Sequence, residues 1–526
     1  MCRSNSTVEN DTVSEGSDST GRISTMSAVS SSTAVAETVL LHSTTSTTLT
    51  TAAVTLPSSK KQPVGPMTRA DVLQRSDPET LCLIIVDDKV YDCTQWQHRH
   101  PGGYLTIRAL CGKDATDAFT YSHPKFVKDR MLASFFYADL IQTTKGQPNN
   151  KSKADKYNDE ATVAFRELTE KMEEAGMFET DLTFYYKKAA VYSCMFLLVL
   201  AGVLCSDKLW IHALSGALLG LFWQQMAFVG HDLGHNSMTH NLQVDSFWGI
   251  IVGNLMTGVS MAWWKRSHNV HHVVTNSCDY DPDIQHLPVM AVDPTFFSQP
   301  LFSTYTNRYL QVDELSHFLV KYQHWLYYPV MAVARVNLYI QSINHALCLS
   351  YYAATKDLVW RRELQIATLI GFWTWLIALT LQLPSWQSRV LFLVPAHVVA
   401  GILHVQITLS HFAMPVHTGV TYDDASNGYL RTQLRGSMDI DCPKYMDWFH
   451  GGIQFQVVHH IWPRLPRRNL RTAKGMLMAF CEGHGLEYHQ ASFLQANAMV
   501  IGKLKETSKS TKRFSEFFTE AMNLNG

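Results

Sequence analysis

Four apolar runs arranged as two close pairs limit what this chain can fold into more than any other feature. Residues 189–205 and 209–230 are separated only by Ser206-Asp207-Lys208, and residues 366–383 and 390–410 only by a short polar turn around 384–388. Each run is about long enough to cross a ~30 Å hydrocarbon core as a helix. Charged residues are 17% of the chain, against roughly 25% in ordinary soluble domains, as expected of a membrane protein that carries a soluble part. A fifth stretch, 246–263, is similar in length but holds Asn254, Thr257 and Ser260, so a re-entrant or interfacial course is expected. With 44 Lys+Arg against 45 Asp+Glu there is no basic footprint for nucleic acid. Residues 1–60 hold 27 Ser or Thr and no aromatic side chain, too little apolar surface to offset ordering, so residues 1–62 are expected to be disordered. The acids Glu9, Asp11, Glu15, Asp18 and Glu37 argue against a plastid transit peptide, and no basic stretch followed by an apolar run marks a secretory signal. Ten Cys without a C-x-x-C pair point to reduced thiols.

Residues from about 67 to 141 read as a small α+β unit: a strand-like run over 81–86, a turn at Asp87-Asp88, and a second strand from Val90-Tyr91. His100-Pro101-Gly102-Gly103 bends the chain directly after the histidine, which places the imidazole on a loop. His123 comes 23 residues later, after a helical stretch over 113–121. Two neutral imidazoles converging from opposite sides can fill both axial positions of a haem iron, and such a haem carries electrons without binding oxygen. Residues 142–180, rich in Lys, Glu and Asp, read as a linker with a solvated helix over about 160–174.

Three histidine clusters flank the apolar runs. His231-Asp232-Leu233-Gly234-His235 closes the second run, His268-Asn269-Val270-His271-His272 follows Trp263-Trp264-Lys265-Arg266, and Gln456-Val457-Val458-His459-His460 lies near the end. Spacings of i, i+3 and i+4 put side chains on one helix face. Seven histidines exceed the usual four ligands of one zinc and suit two transition-metal ions, for which imidazole is an acceptable ligand when the metal is iron. No H-E-x-x-H occurs, which excludes the metalloprotease pattern. One such cluster alone is more often a polar helix end; three beside apolar runs point to a shared site. A shared site requires every cluster on one membrane face. Four crossings satisfy that condition and five do not, a second reason to keep 246–263 from spanning.

Val90-Tyr91-Asp92, Trp96, His100-Pro101-Gly102-Gly103, the run 112–119 and His123 resemble the haem-binding core of cytochrome b5 over about 75 residues. The resemblance implies haem b with His100 and His123 as axial ligands and leaves His98 a solvated neighbour. With the three clusters added, residues from about 67 to about 500 resemble a front-end membrane lipid desaturase with a fused cytochrome b5 domain, Gln456 in place of a leading histidine being the mark of that subgroup. The implied fold is a small α+β cytochrome b5 domain (63–142) joined by a linker (143–182) to an all-α multi-span membrane di-iron desaturase domain (183–505), with a tail over 506–526. Its four spans are expected at about 189–206, 209–230, 366–383 and 389–410.

Carried over by motif, His231, His235, His268, His271, His272, His459 and His460 are ligands of two non-haem irons. The segment 407–412 resembles the helix that supplies a further ligand, His411, while Gln456 either ligates weakly or sits just outside the ligand shell. His240 and His404 are expected to be supporting residues. The run 279–283 either hydrogen-bonds the ligand imidazoles or is a solvated acidic loop, and Trp263 and Trp264 are expected as interfacial anchors. The implied reaction inserts a carbon–carbon double bond using O2 and two electrons, fed from NADH through a cytochrome b5 reductase and the fused haem, in the endoplasmic reticulum membrane with the catalytic face cytosolic. Stretches around 263–286, 322–331 and 447–470 resemble plant-type sphingolipid delta-8 desaturases, and delta-6 acyl desaturases share most of the pattern. His286 with Leu287-Pro288 leans the expectation to a sphingoid long-chain base, with a fatty acyl chain as the alternative. A membrane haem protein that only carries electrons is the alternative of a different class.

Overall fold

The computed structural model describes residues 65–141, 159–298, 300–347, 361–422 and 427–523; the segment 1–62 and the start of the expected linker lie outside them. At the amino-terminal end, Leu83–Val86 and Lys89–Asp92 pair antiparallel across the Asp87-Asp88 turn, and Phe136–Asp139 pairs with the other edge of Lys89–Asp92. Alternation along the strands splits the sheet's two faces. Leu83, Ile85 and Val90 pack with Val72 and Ala138, while Ile84, Val86 and Tyr91 face Leu105, Ile107 and Leu110. The helices Tyr104–Ala109 and Thr116–Ser122 therefore bracket a pocket above the second face.

Among the described residues, four helices are long and apolar enough to cross a membrane: Leu182–Leu204, Leu209–Gly234, Arg362–Leu381 and Trp386–Leu409. They extend the apolar runs read from the sequence. The first starts at Leu182 because Asp181 caps it, accepting from the Thr183 amide. The second and fourth meet closely. A methyl group at Gly216 would lie 2.0 Å from the Phe392 carbonyl oxygen, and one at Gly220 would lie 2.4 Å from that of Ala396. Small residues four apart let two backbones touch where lipid supplies no hydrophobic drive between helices.

The fifth apolar stretch forms no continuous helix. Leu242–Ile250 runs into a π-helical turn, Ile251–Met256, and the chain breaks before Met261–Val273 begins at its Ser260 cap. Its polar residues hold the break: the Asn254 amide donates to Gln365 Oε1 (2.6 Å) and its oxygen accepts from the Met261 amide (2.9 Å). Two crossings thus lie between the first cluster and His411, which returns the chain to the same end of the bundle.

The helix Glu160–Glu174 corrects one expectation. It is not solvated on all sides, since Phe165 and Met172 are fully buried. Phe165 stacks on Trp462 (ring centres 5.4 Å apart) and meets Tyr121 edge-on (5.2 Å), and Trp462 Nε1 donates to Thr169 Oγ1 (3.1 Å). The helix thus wedges the sheet-bearing unit against the histidine-bearing one. Arg166 to Asp117 ties its middle, and Arg431 to Asp159 ties its amino-terminal cap. At the carboxyl end a helix, Phe493–Asn523, runs unbroken through the boundary expected at 505.

Candidate metal centre and haem pocket

His100 and His123 face each other across the amino-terminal pocket, their Nε2 atoms 3.5 Å apart. Two metal–imidazole bonds of about 2.0–2.1 Å span about 4.0–4.2 Å, so the rings would have to part by about half an ångström to hold a metal between them. The opposite ring nitrogens are held: His100 Nδ1 lies 3.1 Å from the Gly103 carbonyl and His123 Nδ1 lies 2.9 Å from that of Phe119. Carbonyls only accept, so Nδ1 carries the proton on both rings and Nε2 is left as the donor atom. Burial pushes both imidazoles below their ordinary pKa, His123 to about 4, which keeps them neutral. The glycines after Pro101 have a local reason: a methyl at Gly102 would sit 2.7 Å from His100 Cε1, and Gly103 adopts φ +96. The pocket between the rings has a volume of about 390 Å³ and is walled by Trp96, Ile107, Leu110, Ala118, Leu132 and Phe135, among others. A flat apolar macrocycle with two axial positions fits this lining. His98 is exposed, as expected.

Below the pocket, the three clusters come together with His411. His231, His235, His268, His272 and His459 form one group, and His271, His411 and His460 a second, with the ligand atoms of each within 4.8 Å of one another. The groups adjoin: the rings of His272 and His460 stack 4.2 Å apart. Buried ring nitrogens of His235, His272, His459 and His460 have no hydrogen-bond partner, nor does Gln456 Oε1. Buried polar atoms without partners are rare unless something binds them. Burial pushes His268 and His411 to about 3 and holds His235, His272, His459 and His460 well below their ordinary value, aided by neighbouring imidazoles. These neutral rings keep their lone pairs, the state a metal requires.

The second group shows how the rings are aimed. His271 Nδ1 lies 2.8 Å from Asp281 Oδ2, His411 Nδ1 lies 3.0 Å from the Gly436 carbonyl, and His460 Nδ1 lies 3.1 Å from Gln433 Oε1. Each partner accepts, so each ring turns Nε2 inward. Burial lowers His271, but the charges of Asp281 and Asp283 outweigh it and raise the group to about 8. Of the two readings of the 279–283 run, the hydrogen-bonding one is observed at two of its carboxylates. Asp281 is fully buried, and Asp283 reaches His268 Nδ1 at 3.4 Å.

Trp264 is not an interfacial anchor. It stacks on His268 at 4.3 Å and packs against Gly234, His231 and His235, because the helix carrying the second cluster turns this face inward. His240 hydrogen-bonds Thr180 and lines the haem-sized pocket, while His404 Nδ1 is held by the Met331 carbonyl. Sequence reading passed over Arg467, which pairs with Asp232 (2.6 Å) and with Tyr185, through that aspartate, fixes the end of the first cluster's helix. It also passed over Gln433. Neither lies in a spacing that marks it; only convergence of distant segments reveals them.

A haem-sized pocket with two facing imidazoles, set on a four-helix membrane unit with eight clustered histidines, defines a class: a membrane metalloenzyme with a built-in electron carrier. Comparison with known proteins makes the class specific. Residues 208–492 match the fatty acid desaturase family, and residues 68–141 match the cytochrome b5-like haem/steroid binding domain. The chain is 39% identical to a Delta(8)-fatty-acid desaturase of Helianthus annuus, covering 84% of this chain and 90% of that one. It is 40% identical to a Delta 8-(E)-sphingolipid desaturase of Komagataella phaffii (81% and 90%) and 34% identical to an acyl-lipid (9-3)-desaturase of Borago officinalis (84% and 93%). The chain belongs to the fatty acid desaturase family and carries a fused cytochrome b5 domain. It is an oxidoreductase, and its two family memberships imply haem and iron.

Proposed function

We propose that the protein desaturates the sphingoid long-chain base of a membrane sphingolipid at the delta-8 position. His231, His235, His268, His271, His272, His411, His459 and His460 hold two irons, and His100 and His123 hold haem b. The convergence of these imidazoles into two adjoining groups carries the reading. The balanced reaction takes –CH2–CH2–, O2, two electrons and two protons to –CH=CH– and two waters. An unactivated methylene has no acidic proton, so a general base cannot begin the reaction. Reduction and cleavage of O2, and hydrogen-atom removal from such a methylene, are the chemistry that a bound iron pair supplies. The chain's own part is positional. Asp281, Gly436 and Gln433 hold His271, His411 and His460 in the tautomer that offers Nε2, and Trp264 closes one side of the first group. Gln456 stands at the edge of the site with its amide oxygen unpartnered and serves as a weak ligand or a neighbour of one.

Electrons enter from NADH through a cytochrome b5 reductase and pass to the haem. The fusion keeps that donor at high effective concentration beside the irons. Because His235 and His272 line the haem pocket as well as the first metal group, no separate docking step stands between donor and acceptor. The membrane is that of the endoplasmic reticulum, with the catalytic face in the cytosol. The Komagataella and Helianthus relatives support the delta-8 position; the Komagataella sphingolipid relative supports the sphingoid substrate, and the Helianthus fatty-acid and Borago acyl-lipid relatives support a fatty acyl substrate as the second reading. A protein that only carries electrons would have no use for the clustered, unpartnered ring nitrogens beneath the haem. The test is expression in yeast with analysis of both long-chain bases and fatty acyl groups. New delta-8 unsaturation in long-chain bases is expected from the wild type and none from His271→Ala. Unsaturation confined to fatty acids would overturn the sphingoid substrate, and full turnover by His271→Ala would overturn the iron assignment.

A further inference from the structure

The haem pocket has two unlike halves. The side supplied by the cytochrome b5 domain, from Ile84 to Phe135, contributes no charged residue to the lining. The side supplied by the desaturase domain contributes Asn236, His240, Lys265, Asn269 and Arg464, together with His235 and His272. Lys265 precedes the second cluster and is only 2% exposed; Arg464 follows the third and is half-buried. Haem b has the same asymmetry, an apolar ring with two carboxylates along one edge. Carboxylates buried against an uncharged wall would be strongly disfavoured, whereas facing cations offset their desolvation.

Resting on the haem-binding reading above, we propose that Lys265 and Arg464 of the desaturase domain bind the two haem carboxylates. They thereby turn that edge of the ring toward the wall formed by His235 and His272. The two cations reach the pocket from different segments, Lys265 from the helix Met261–Val273 and Arg464 from just after the third cluster. Asn269 locks the arrangement, its Nδ2 donating to the Gly102 carbonyl (3.0 Å) and pinning the cation-bearing helix to the loop that carries His100. The catalytic domain thereby supplies part of the haem site, and the haem edge that leads to the irons is set by the domain that consumes the electrons.

The full-length protein tests this with wild type, Lys265→Met, Arg464→Met, the double variant, and the charge-keeping pair Lys265→Arg and Arg464→Lys. Each is loaded with haem b or with haem b dimethyl ester, whose carboxylates carry no charge. Haem transfer to apomyoglobin and the haem reduction potential are measured, and the low-spin spectrum reports an intact pocket. With haem b, the double Met variant should release haem about tenfold faster or more, the effect of losing charge-assisted hydrogen bonds. Its potential should shift downward, because a cation beside the ring favours the reduced, more negative haem. With the ester, wild type and variant should release haem at the same rate, and the charge-keeping variants should follow wild type with either haem. A double variant that still distinguishes haem b from its ester as wild type does would overturn the proposal. So would charge-keeping variants that release haem as fast as the Met variants. A wild type without a haem spectrum would instead overturn the haem reading itself.

Discussion

Asp281→Asn tests how the iron site is aimed. Asp281 is fully buried, and Oδ2 accepts from His271 Nδ1 (2.8 Å) and the Asn276 amide (2.7 Å), while Oδ1 accepts from the Asp283 amide (2.9 Å). An asparagine has one acceptor oxygen, so whichever way it turns, its NH2 meets at least one N–H. Leaving a buried donor unmatched costs about 1–3 kcal/mol. A change of this kind behind a metal-bound histidine typically lowers metal affinity 10–100-fold, or about 1.4–2.7 kcal/mol. The pH dependence adds a signature. In the metal-free protein His271 is raised to about 8, chiefly by Asp281 and Asp283 against the opposing effect of burial. The protonated ring contributes stability to the metal-free fold that is full below its ordinary value near 6.5 and is lost as pH rises through about 8. Metal binding must displace that proton, so iron affinity should climb with pH up to about 8 and then level off. In Asp281→Asn the climb should flatten, because the main charge that raises His271 is gone. Iron content after graded chelator dialysis, across pH 6 to 9 as a roughly chosen window around that transition, measures both effects. Retention of iron at the wild-type level with an unchanged pH slope would refute the argument.

Further expectations follow from packing and from the ligand set. Phe165→Ala removes a fully buried ring between the two domains and should destabilise their docking by about 3–5 kcal/mol; slower haem-to-iron electron transfer and faster amide exchange in Glu160–Glu174 would register it. Gly216→Ala forces a methyl into the Phe392 backbone and should lower stability in detergent by about 1–3 kcal/mol, read as a lower unfolding temperature. His411→Ala should reduce the non-haem iron that the protein retains while leaving the haem spectrum unchanged, and metal analysis beside the Soret absorbance separates the two.

Much of this was legible in the chain. Apolar runs of membrane length determine four spanning helices because a backbone in hydrocarbon must satisfy its own hydrogen bonds. The His-Pro-Gly-Gly turn is a local signal, and with His123 it marks the haem pocket through the resemblance of its surroundings to cytochrome b5. The i, i+3, i+4 histidines are a local signal too, and parity of crossings places them on one face. What remained hidden depends on segments far apart in sequence. The charged helix 160–174 looks solvated until Trp462 and Tyr121 cover one face of it. Trp264 looks like an anchor until the break at 257–260 turns its helix inward. The sorting of eight histidines into groups of five and three, the bonds from Asp281, Gln433 and Gly436 that aim them, and the basic half of the haem pocket arise only when the segments meet. Local propensity and hydrophobic length are properties of a segment and survive reading in one dimension. The burial of a charge, the tautomer of an imidazole and the company of a metal ligand are properties of the packed whole, and the tertiary structure alone decided them.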